Sequence, residues 1–376
     1  MKKTGRVGLL LMLLAAAVLL GGCGSEQTLV RKVNEPAALD AVEELKIVEH
    51  PWAGTQVLAL APDNQSAVLK ADSRVQVLRD GKVTPVDIPA EAMVPGCSRR
   101  MAWSPNSRYC CYRGEDACYV IDLAQARVER MDAVLSACFN ADQTTLYYAR
   151  ASEAGSTLYR RRVFSGDAEE MVLAVGERVQ GAMFRTTKSQ YLVLGENRLL
   201  CLEQVNAGQP WEVRVVADFA PSGMTACSLS YRAQTALCIV GGTTAEGQMA
   251  FSVVSPDGKD FVIDRVSCFS PVRESVVENL PAEALGALTN EAQYPVTLRW
   301  VQLSPGGLYL LLWGVEDGEN TMYLLNLDKG GLTAVTLPEQ LRDPALALAD
   351  WCAGKTLLVG DELGGTVLCS VTGWDD

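Results

Sequence analysis

His50 is the only histidine in the chain, so a Ser-His-Asp relay or any imidazole acid–base step would have to run through it. It precedes Pro51 in a stretch that reads as a linker or first edge strand, where a surface imidazole before a turn is expected. The twelve cysteines contain no Cys-x-x-Cys pair, and with one imidazole available the residues for a zinc centre are missing. Acidic pairs stand at Glu115-Asp116, Glu169-Glu170, Asp317-Gly318-Glu319 and Asp361-Glu362, all in segments that read as hairpin turns, where carboxylates are ordinarily solvated. The run Asp317-Gly318-Glu319-Asn320 could begin a calcium loop, but it lacks the further oxygen ligands and the distal Glu. Arg160, Arg161 and Arg162 lie along one strand, so alternate members face opposite ways; Arg160 and Arg162 are expected on an exposed face balancing local acids. No phosphate loop, nucleophile elbow or dinucleotide fingerprint is present. No catalytic residue, cofactor site or metal ligand is assigned.

The chain has 376 residues, with 33 Lys plus Arg against 45 Asp plus Glu and a formal charge of −12. That balance leaves no basic surplus for a phosphate backbone, and nucleic acid is excluded as a partner. Apolar residues make up 48% and charged residues 21%, enough to bury a large core and to exclude general disorder.

The amino end carries Lys2, Lys3 and Arg6, then an apolar run from Val7 to Leu20. A cationic start followed by a run too short for a comfortable membrane span has the layout of a secretory signal over residues 1–22. It ends in Leu20-Gly21-Gly22-Cys23, which resembles the lipobox of bacterial lipoproteins. The resemblance implies cleavage before Cys23 and acylation of its sulfur. Without lipid the same run would be an ordinary signal peptide or an uncleaved anchor; the four residues in combination favour lipid. Loss of Lys2, Lys3 and Arg6 takes the charge from −12 to −15, so acyl chains rather than a polybasic patch would hold the protein at a bilayer. Besides Cys23, eleven cysteines remain in the mature chain, an odd number without regular spacing and partly inside apolar runs such as Tyr109-Cys110-Cys111-Tyr112. Most read as small buried hydrophobes, and no pairing follows from their order.

From Val57 onward a strand–turn–strand pattern recurs, beginning near Val57, Met101, Ala137, Ala182, Cys227, Trp300 and Leu348. Aligned turn residues Pro62, Pro105, Ala141, Thr186, Arg232, Pro305 and Cys352 are spaced by 43, 36, 45, 46, 73 and 47. A period of roughly 40–50 residues suits a four-stranded propeller blade. The long interval requires an insertion, placed around 266–297 with a short helix from Pro281 to Asn290, or else a degenerate extra blade. Trp103-Ser104-Pro105-Asn106 and Leu303-Ser304-Pro305-Gly306 match, and Ala61-Pro62-Asp63-Asn64 partly matches, the turn of WD40-like and TolB-like β-propeller repeats, which this chain resembles over most of residues 55–374. The expected fold is therefore an all-β propeller of seven four-stranded blades, with six or eight open, over residues 50–376. The last repeat lacks a fourth strand. Residues 28–34 or 44–49, within the lipidated tether 23–49, could close the ring, and Lys46-Ile47-Val48-Glu49 is the more strand-like. Trp103, Trp300, Trp313 and Trp351 read as blade core; Trp52, Trp211 and Trp374 read as exposed contacts.

Together these features suggest a membrane-anchored, extracytoplasmic lipoprotein at the cell surface or periplasmic face, binding a protein or cell-envelope component without catalysis. The alternative is a propeller enzyme acting on extracellular glycans or peptides. It requires that two or more of Asp142, Arg185, Arg232 and Asp350 converge on the axis.

Overall fold

The computed structural model describes residues 43–372, apart from 48–54, 72–73, 90–91, 94–99, 115–116, 188, 233–236, 244, 246–248, 255–265, 268–296, 305–308, 327–331, 354–355 and 361–365. The leader, Cys23, His50, Trp52, Trp374 and the helix expected at Pro281 to Asn290 lie outside the described residues.

Strand β1 (Glu43–Ile47) precedes a first sheet of β2 (Gln56–Leu60), β3 (Ala67–Ala71), β4 (Arg74–Arg79) and β5 (Lys82–Pro89). The second sheet is β6 (Met101–Trp103), β7 (Tyr109–Arg113), β8 (Ala117–Asp122) and β9 (Arg127–Asp132). The third is β10 (Val134–Phe139), β11 (Thr145–Ser152), β12 (Gly155–Arg162) and β13 (Glu170–Val175). The fourth is β14 (Gln180–Thr187), β15 (Gln190–Leu194), β16 (Arg198–Glu203) and β17 (Glu212–Asp218). The fifth is β18 (Thr225–Arg232), β19 (Leu237–Thr243), β20 (Met249–Val254) and β21 (Val266–Ser267). The remaining strands are β22 (Thr297–Leu303), β23 (Tyr309–Glu316), β24 (Glu319–Asn326), β25 (Leu332–Thr336), β26 (Leu348–Ala353), β27 (Thr356–Gly360) and β28 (Thr366–Thr372). With β1 they form one eight-stranded sheet ordered β22-β23-β24-β25-β1-β28-β27-β26.

Within that sheet β1 runs antiparallel to β28, from Glu44 opposite Thr372 to Ile47 opposite Cys369, and touches β25 in parallel only at Glu43 and Glu44. It is thus the fourth strand of the set β26–β28. Each copy of the sequence repeat begins on the first strand of one four-strand set.

One turn recurs between first and second strands. The N–H of Ala61 bonds Ser66 O, that of Ser104 bonds Tyr109 O, that of Asn140 bonds Thr145 O and that of Ser304 bonds Tyr309 O, each at 2.8 Å. In the first and third sheets a carboxylate closes it. Asp63 accepts the Gln65 and Ser66 N–H groups and the Ser66 hydroxyl; Asp142 accepts the Thr144 and Thr145 N–H groups and the Thr145 hydroxyl. The residue after each acid, Asn64 or Gln143, takes positive φ, as does Ser107 after Asn106. Polar side chains that mimic backbone acceptors stabilise such turns.

The core is divided into layers between neighbouring sheets. On β7, Cys110 and Tyr112 pack with Val68, Val77 and Ile88 of the first sheet, whereas Tyr109 and Cys111 pack with Phe139 and Tyr148 of the third. Side chains that alternate across a strand therefore serve two layers, which explains why central strands are apolar without a break. The last set packs on the first through Leu358 and Leu368 against Val57, Leu60 and Leu69. First strands adjoin in succession from β6 through β10, β14, β18 and β22 to β26, which adjoins β2. Four-stranded antiparallel sheets set in this way around an axis form a β-propeller.

Candidate functional site

The residues singled out from the sequence are held by different elements. Asp142 belongs to the turn between β10 and β11; partial burial pushes its carboxyl up, but bonds from Thr145 and Thr144 with Arg162 nearby outweigh this and hold it below the usual range. Arg185 lies on β14, where its guanidinium acts on Cys138 and Tyr191. Asp350 is buried on β26, and Arg232 ends β18. These four positions fall in four different strand sets.

Many of the charged groups fasten sheets. Arg161 turns from β12 to Glu129 on β9, and Phe164 N–H donates to the same carboxylate. Arg160, on the opposite face of β12, pairs with Glu170 at 2.8 Å and reaches the Tyr147 hydroxyl. The Arg79 guanidinium donates to Ser107 O at 2.6 Å, joining the first sheet to the second. Arg108 grips buried Asp122 through two bonds of 3.2 and 2.8 Å, and these raise its own pKa. Glu169 accepts the Tyr148 hydroxyl at 2.5 Å and Arg150 at 2.7 Å; the Tyr148 bond, more than the cation, holds its carboxyl below the ordinary value.

Neutral side chains make further crossings that sequence reasoning missed. Gln302 on β22 donates to Trp351 O at 3.4 Å and accepts Trp351 N–H at 2.5 Å on β26. Gln180 on β14 donates to Ala226 O on β18 at 3.0 Å. A lone amide inside an apolar strand was the available signal, because a buried amide needs partners.

Most of the described cysteines are buried or half-buried, and Cys227 is exposed. Cys110, Cys111, Cys118, Cys201, Cys238 and Cys369 are buried. Burial pushes the thiols of Cys138, Cys201, Cys352 and Cys369 up to about 12. Trp300, Trp313 and Trp351 are core residues, and Trp103 is half-buried. Trp211 departs from its expected exposure: it is half-buried, its ring 5.9 Å from those of both Tyr147 and Tyr191. Among the described residues no three His, Cys, Asp or Glu side chains group to hold a metal.

An open cleft of about 560 Å³ is lined by Gly318, Glu319, Glu339, Arg342, Asp343 and Pro344. The β23–β24 turn forms one wall, with Asp317 and Gly318 at positive φ. The connection from β25 to β26 forms the other, fixed by Asn320, whose side-chain amide donates to Leu341 O at 3.2 Å, to Leu346 O at 3.1 Å and to Asp343 O. Glu319 and Arg342 lie 3.8 Å apart across it. Three acids against one Arg suit a cationic or hydrogen-bonding group. The sequence read Asp317-Gly318-Glu319 as a turn and set aside a calcium loop there; its opposite wall comes from a distant loop.

No protein-family model matches the chain, and no curated protein matches it. Solved structures do. An oligogalacturonate lyase in complex with manganese aligns at a TM-score of 0.51 and 11% identity over 88% of this chain and 96% of its own. Hydrazine synthase of Kuenenia stuttgartiensis aligns at 0.52 and 11% over 86% and 97%. The extracellular domain of a one-component system from B. thetaiotaomicron aligns at 0.50 and 12% over 86% of this chain and 39% of that one. At such identities the likeness is one of fold, and the chain has the β-propeller fold of these proteins.

Proposed function

We propose that this chain is a lipid-anchored, extracytoplasmic propeller of seven blades that binds a protein or cell-envelope component without catalysis. Residues 1–22 are the export signal in this reading, Cys23 is the acylated residue, 23–49 tether the ring and supply its closing strand, and the propeller occupies 50–376 with its insertion around 266–297. Five four-stranded sheets and the two four-strand halves of the eight-stranded sheet support the blade number. The carrying observation is the engagement of Asp142 in a turn, of Glu169 and Arg150 within one sheet and of Glu129 and Arg161 between two sheets, while the cleft beside Glu319 and Glu339 stays open. A rigid ring with variable connections presents a broad recognition face.

The test is capture from native membranes with the acylated protein, its Cys23→Ser form and a Glu339→Lys form. One envelope component retained by the first, weakened in the second and lost in the third supports an anchored platform that binds through the cleft. Absence of any retained component from all three rejects the platform.

A further inference from the structure

We propose that Cys111 and Cys118 close a disulfide that staples β7 to β8. The proposal rests on the extracytoplasmic reading above, since such bonds persist in oxidising compartments. Cys111 stands opposite Val120 and Cys118 opposite Arg113, so the two cysteines are diagonal neighbours on one face of the hairpin. Their sulfurs lie 2.6 Å apart, inside the roughly 3.5–4 Å at which unbonded heavy atoms rest. Both are fully buried in the layer shared with Met131, Ala137 and Phe139. Cys110 packs into the layer on the other side of β7 and does not compete. Arg113, one step along the same face, donates to Leu135 O at 2.5 Å and places its charge near both sulfurs. In the packed sheet the Cys111 sulfur, then burial, push the Cys118 thiol well above its ordinary value, so exchange belongs to the hairpin before it is covered.

The oxidant is a disulfide donor, a small molecule or an oxidoreductase. The Cys111 thiolate attacks one donor sulfur, forming a mixed disulfide and expelling the other as a thiolate. Cys118 then attacks the Cys111 sulfur and expels the second donor thiolate. The pair loses two protons and two electrons, and the donor disulfide becomes two thiols. Burial of both sulfurs places this exchange before the second and third sheets pack together.

Trypsin cuts after Arg108, Arg113 and Arg127, separating Tyr109–Arg113 from Gly114–Arg127. The full chain is extracted from membranes into acid, alkylated, digested without reduction and read by mass spectrometry. The expected product is these two peptides joined, retained in Cys110→Ser and lost in Cys118→Ser. Acylated Cys23 together with separate, alkylated peptides overturns the disulfide and leaves the anchoring intact. A chain that is not acylated and is shielded from protease added to spheroplasts overturns the compartment instead. In that case the protein is denatured, reduced and refolded with oxidised glutathione: joined peptides support the pairing, separate ones overturn it.

Discussion

Asp142 illustrates how a residue with catalytic potential becomes structural: its two oxygens accept three bonds from Thr144 and Thr145. Asp142→Ala should lower unfolding free energy by about 1–2 kcal/mol, as for loss of a comparable cap, without changing partner capture; denaturant titration beside the capture assay checks both. Acid should act through several such groups. Asp63, Glu169, Glu203 and Asp218 also have lowered folded-state pKa values: Glu169 chiefly through Tyr148, Glu203 through Arg214 and Asp218 through Ala220 N–H, while the turn bonds at Asp63 outweigh its burial. A carboxyl that is more acidic when folded stabilises above its unfolded pKa and loses that contribution as pH falls through its folded one. Stability should therefore hold above about pH 5 and decline progressively below about pH 4, measured as the denaturant midpoint against pH.

At the scale of elements, the β11–β12 hairpin depends on Gly155, at φ +125°, where an added Cβ would sit 2.6 Å from Glu177 N. Gly155→Ala should destabilise by about 1–3 kcal/mol, visible as a lower midpoint with an unchanged slope. Strands and turns were legible because their causes are local: Pro62 and Pro105 fix φ, Asp63 and Asn106 accept nearby N–H groups, and apolar runs follow at a steady period. The turn at Asp142 was partly hidden, because Ala141 replaces the proline while the acid keeps the bonding. The sheet crossings and the cleft were not legible. Gln302 meets Trp351, and Glu319 faces Arg342, through pairings that no local spacing specifies. Gln302→Ala should cost about 1–3 kcal/mol by removing both the acceptor of Trp351 N–H and the donor to its carbonyl, seen as a lower denaturant midpoint.

For the whole molecule, β1 and β28 bring the first and last described strands together in one sheet. Leu45 of β1 is fully buried among Val371, Val335 and Trp351, and Leu45→Ala should destabilise by about 2–5 kcal/mol, seen in the thermal midpoint. The flanking Glu44 and Lys46 are exposed, and charges along a narrow strand discourage pairing with the wrong edge. That protection matters in time. β1 is synthesised first among the described strands, yet its antiparallel partner β28 is the last. Ile47 must wait for Cys369, so every sheet between them can form while the ring is still open. A chain halted before β28 would leave its earliest described strand without its antiparallel partner, so the ring can lock only after the last blade is made.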